Sequence, residues 1–80
     1  MFDSLKKDKF RVRAITWMKK GEPGHTSHSK EFKKYGEARK YFEQIIKEWG
    51  KDCKVERSQN DSCLIKGKGG FVMSIDFLEL

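Results

Sequence analysis

The 80-residue sequence predicts an α+β domain: a single antiparallel sheet of four to five strands, with one helix packed on one face, in the order β-β-α-β-β-β. Two observations carry this expectation. One apolar stretch has helical spacing, and the apolar stretches on either side of it alternate with period 2, the spacing of a strand. One helix covers only one side of such a sheet, so the other side is expected to stay open. At this length the chain, residues 1–80, reads as a single domain with one modest core.

The first element is "KFRVRAITWM", residues 9–18, alternating and rich in strand formers. Phe10, Val12, Ala14 and Met18 fall on one side, and Arg11, Arg13, Ile15 and Trp17 on the other. "KKGEPG" supplies turn chemistry through Pro23 and two glycines. "HTSHSKEF" then returns as a polar strand that brings Phe32 back to the core, completing a hairpin.

"GEARKYFEQIIKEWG", residues 36–50, changes period. Ala38, Tyr41, Phe42, Ile45, Ile46 and Trp49 share a helical face, and Trp49 is expected to be buried there. Glu43 and Lys47 form an i,i+4 pair on the opposite face. Gly50 suits a C-terminal cap in a positive-φ conformation. Lys34 occupies the position where a capping box wants Ser or Thr, so the start of the helix is less sharply marked than its end.

Strands resume with "CKVERS", a "QND" turn, "SCLIK", a "GKGG" turn and "FVMSIDFLEL". In the last strand Phe71, Met73, Ile75 and Phe77 point one way, and Val72, Ser74, Asp76 and Leu78 form a mixed opposite face.

Charge is unevenly placed. Residues 1–34 hold ten lysines and arginines against four acids, whereas residues 35–80 hold eight of each, so the first 34 residues carry the entire net +6. A one-sided positive field attracts phosphates or acidic protein surfaces, and it also serves solubility. No apolar run approaches the roughly 18 residues of a membrane span, and "MFDSLKKDKF" lacks the apolar centre of a signal peptide. The expected location is therefore the cytoplasm, with no membrane partner and with Cys53 and Cys63 reduced.

Catalytic signatures are incomplete. His25 and His28 are spaced as one ligand pair, but Cys53 and Cys63 have nine residues between them and fit better as small core residues flanking a hairpin. "GKGG" is followed by a strand and lacks the longer spacing of a phosphate-binding loop. The expectation is a protein with no catalytic residues, no metal and no cofactor.

The candidate site is the open face of the first strand. Arg11, Arg13, Ile15 and Trp17 lie there with Lys9 in line, helped by Lys19, Lys20 and Lys30. Arginine beside an exposed aromatic suits both a protein hot spot and a platform for unpaired bases. The plain alternative is that Trp17 packs under the loop at residues 19–26 or under "MFDSL".

In "EFKKYGEARKYFEQIIKEW" a strand ends in Phe32, Tyr35 bridges, and a helix opens on Glu37 and Ala38 and continues with Tyr41 and Phe42. This resembles a pattern in small phage and mobile-element proteins, and the arrangement of hairpin, helix and strands looks like several anti-CRISPR inhibitors. The matching residues cover about a quarter of the chain and mark a helix entry; none of them is a functional residue. Many anti-CRISPR proteins are acidic nucleic-acid mimics, and this chain is basic. The resemblance implies a non-enzymatic inhibitor in a host cell cytoplasm that occludes a protein or ribonucleoprotein such as a Cas effector. The alternative is a small basic module that binds RNA or DNA through the open sheet. Either is expected as a monomer or small homo-oligomer, the latter hiding Ile15 and Trp17 in an isologous interface.

Overall fold

A computed structural model describes residues 9–58 and 61–80. Five strands and one helix follow the expected order: β1 (Phe10–Trp17), β2 (His25–Phe32), α1 (Tyr35–Trp49), β3 (Lys54–Ser58), β4 (Ser62–Lys66) and β5 (Val72–Glu79). They form one antiparallel sheet in the order β2-β1-β5-β4-β3. The β1–β2 hairpin and the β3–β4–β5 meander are thus joined by pairing of the first strand with the last. The helix links the two edge strands and lies across one face.

Alternation along β5 gives the central strand its two characters. Met73, Ile75 and Phe77 are buried under the helix, and Val72, Ser74, Asp76 and Leu78 face the other way, half-buried. Val12 and Ala14 from β1 and Cys63 and Ile65 from β4 complete the sheet side of the core. Ala38, Phe42, Ile45 and Ile46 close it from the helix. The residues that mark the helix entry are packing residues. Phe10, Tyr35 and Phe77 form a ring triangle with centroids 5.5 to 5.7 Å apart, and Phe32 lies 5.4 Å from Tyr41. These contacts fix the start of α1, where Lys34 stands at the N-cap without a side-chain cap.

Among the described residues, one buried polar residue accompanies the core. Thr16 continues the buried side of β1, and a bulge at Ala14/Ile15 leaves Ser27 as an extra residue on β2. The Ser27 hydroxyl lies 2.8 Å from Thr16 Oγ1 and donates to the Ala14 carbonyl at 3.3 Å. The buried hydroxyl therefore has a partner, as burial demands.

Four expectations are corrected. Trp49 is 40% exposed: it sits in the last turn of α1, beyond the core, stacked on Phe71 with His28 against its edge. Met18 lies past the end of β1 and is 55% exposed, so its place in the alternation buries nothing. Glu43 is paired with Arg57 of β3 and Arg39, not with Lys47, because the sheet edge offers a bidentate guanidinium. Gly50 caps the helix at φ −85, an ordinary conformation. Its requirement is space, since a Cβ there would stand 2.5 Å from the Ile46 carbonyl oxygen and 2.7 Å from Val55 Cγ2. The positive φ falls two residues later, at Asp52.

The "GKGG" segment is a turn, as its composition suggests. Lys68–Gly70 form a short 3-10 turn in which Gly69 and Gly70 take positive φ. The first two residues of "QND" and the N-terminal "MFDSL" lie outside the described residues.

Candidate functional site

The face of the sheet turned away from α1 is built by alternation alone. From β1 it receives Arg11, Arg13, Ile15 and Trp17; from β5, Val72, Ser74, Asp76 and Leu78; and from β4, Ser62, Leu64 and Lys66. Register sets the neighbours: Trp17 opposite Val72, Ile15 opposite Ser74, Arg13 opposite Asp76, and Leu64 opposite Ser74 on the far side. The apolar members Trp17, Ile15, Leu64 and Val72 form a belt toward the turn end of the sheet. All four are half-buried, on the face opposite the core.

Trp17, Leu64, Val72 and Ser74 line a hollow of about 530 Å³, bordered by Lys19 and Lys20 from the β1–β2 loop. The loop is held there by glycines. Gly70 takes φ +87 against the Lys20 backbone, where a Cβ would meet Lys20 N at 2.4 Å. Gly24 lies over the Nε1–Cε2 side of the Trp17 indole, so the ring is packed under the loop on one side and lines the hollow on the other. Trp17 is thus half-buried, packed under the loop as the plain alternative has it, with the rest of the ring open to the hollow.

The cations sort into two groups. Arg11 is committed: its Nε donates to Glu31 at 3.0 Å and its Nη2 to the same carboxylate. Lys9, Arg13, Lys19 and Lys20 have no ion pair among the described residues, and the Arg13 Nε is buried without a hydrogen-bond partner there. Lys30 does not belong with them. It pairs in register with Val12, on the helix side of the sheet, with its ammonium over the Phe32 and Tyr41 rings. The bulge does not rescue it, because it lies beyond Lys30 toward the loop.

Leu64, Val72 and Ser74 were absent from the candidate residues expected from sequence. The signal was present in "SCLIK", where Leu64 alternates against Cys63 and Ile65, but pairing of β5 with β1 and β4 is a long-range choice that one strand's pattern does not disclose.

The histidines and cysteines do not converge. His25 is exposed, and His28 packs on Trp49 with its Nδ1 3.1 Å from Ser27 Oγ. Among the described residues no group of three or more His, Cys, Asp or Glu is arranged to hold a metal ion. Burial pushes the Cys63 thiol above its ordinary range, partly offset by Arg57, which is opposite to the shift that makes a cysteine nucleophilic. No helix among the described residues is long and apolar enough to cross a membrane.

No family, curated protein or solved structure matches the chain.

Proposed function

We propose that this chain is a non-enzymatic interaction protein that docks through the open face of its sheet on a larger nucleic-acid-processing machine and occludes it. The observation that carries this reading is the Trp17 ring, which lines an apolar hollow with Leu64 and Val72 and is bordered by the cations Lys19 and Lys20. A desolvated aromatic anchor supplies affinity, and the surrounding positive charges supply orientation and on-rate. The resemblance at the helix entry makes a CRISPR-Cas effector in a host cytoplasm the target to try first. A nucleic-acid module is the second reading, favoured by Lys9, Arg13, Lys19 and Lys20, which have no ion pair among the described residues. It is weakened because Trp17 is the one aromatic ring on that face among the described residues, whereas base-stacking sheets use two or three.

The test is binding of the purified protein to purified Cas effector ribonucleoproteins, comparing wild type, Trp17→Ala and Arg13→Glu, each checked for fold by circular dichroism. Loss of binding in both folded variants is the expected result. Undiminished binding in both removes the face from consideration.

A further inference from the structure

A second hollow, of about 370 Å³, adjoins the one that contains Trp17. It is lined by Glu56, Ser58, Ser62 and Asp76, with Cys63 and with Arg57, whose guanidinium is already taken up by Glu43, and it shares Leu64 and Ser74 with the first. The two are therefore one groove along the β4–β5 pair, with Leu64 and Ser74 at its middle. From Val72 to Asp76 the groove follows four residue steps of β5, about 13 Å at the rise of an antiparallel strand. That length suits an extended segment of about five residues.

The charges left unanswered along the groove differ between its ends. At the loop end Lys19 and Lys20 have no ion pair among the described residues. In the middle Glu56 is already answered by Lys54 at 3.6 Å and Lys66 at 3.4 Å. At the far end Asp76 has no ion pair among the described residues, although Arg13 is its neighbour in register on β1. Two hydroxyls, of Ser58 and Ser62, line the same end, and that of Ser74 lies at the middle. A polyanion of uniform charge that satisfies the lysines would run its next charges onto Glu56 and Asp76. A peptide can change sign along its length.

We infer that the groove binds an extended peptide segment of its partner with a fixed charge order: an acidic residue against Lys19 and Lys20, a large apolar residue on Trp17, Leu64 and Val72, and a basic residue against Asp76. This rests on the docking role of the open face and adds to it the chemistry and direction of what docks. Attraction at each end orients the segment, and reversing it sets like charges together at both ends.

The test is selection from a phage-displayed library of random heptapeptides on the immobilised full chain. Four baits are compared: wild type, Lys19→Glu with Lys20→Glu, Asp76→Arg, and Trp17→Ala, each shown to be folded by circular dichroism. Wild type is expected to enrich heptamers in which an acid, a large apolar residue and a base occur in one order. The lysine reversal replaces the acid by a base, Asp76→Arg replaces the base by an acid, and Trp17→Ala abolishes enrichment. Heptamers that need Trp17 but show no charge order, or keep it in both reversed baits, overturn this inference and leave the docking role standing. Absence of any Trp17-dependent enrichment overturns both.

Discussion

A Cβ placed on Gly24 would lie 2.5 Å from Cε2 of the Trp17 indole and 2.6 Å from its Nε1. The ring at the centre of the candidate site therefore owes its position to a residue with no side chain, seven positions away across the hairpin loop. Gly24→Ala is expected to displace the indole or lift the loop, at a cost of about 1–3 kcal/mol, the range for overpacking. Urea melts and the near-ultraviolet circular dichroism of the tryptophans check this. An unchanged spectrum with unchanged stability would mean that the ring is not held by the loop.

The Glu43–Arg57 pair ties the middle of α1 to the edge strand β3, with Arg57 donating at 2.9 Å and 2.6 Å to the two carboxylate oxygens. The Arg57 hydrogen bond is the main cause that holds the Glu43 carboxyl below its ordinary value of 4.5, with the charges of Arg57 and Arg39 adding to it and partial burial opposing it. Since the folded pKa lies below the unfolded one, the stabilisation is fully present above the unfolded value. It is lost as pH falls through the folded value. Both side chains are about two-fifths exposed, at 44% and 40%, so solvent screens the pair. Glu43→Gln is expected to cost about 0.5 kcal/mol at neutral pH and low salt. The difference should shrink in high salt and vanish in acid, where wild type and variant are equally uncharged at this position. Denaturant melts at neutral and acid pH measure it.

The two thiols should separate kinetically. Cys63 is 3% exposed, with a thiol raised by burial, whereas Cys53 is half-buried at the edge of the core. Treatment of the native protein with a chromogenic disulfide is expected to label Cys53 first. Cys63 should follow only at the rate at which the sheet opens. Equal rapid labelling of both would contradict the burial of Cys63.

Most of the fold was legible because its information is local. The period-2 stretches and the single 3.6-period stretch set the element order, and strands such as "HTSHSKEF" and "SCLIK" match β2 and β4 residue for residue. What local patterns do not carry is pairing across the chain. The joining of β1 to β5 brings Val72 beside Trp17, and β4 beside β5 adds Leu64, which turned one strand's face into a groove. Errors at element ends have the same origin. Trp49 and Met18 fit their periodic patterns, yet each stands where its element has run past the core. Lys30 was grouped with the other cations because of its charge, and register places it on the opposite face.

The exposure of Trp49 also shapes the most direct measurement of the central claim, that the open face takes a protein partner. Both tryptophans would report in the native chain, so the titration is made in a Trp49→Phe background, which keeps an aromatic ring on Phe71. Tryptophan emission, now from Trp17 alone, is followed while short single-stranded RNA, single-stranded DNA and duplex DNA are added at low and at moderate salt. With a protein partner on this face, no saturable change is expected at moderate salt with any of the three. Tight binding that weakens steeply with salt, and is lost when Arg13 is changed to Glu, would contradict it and make this face a nucleic-acid surface.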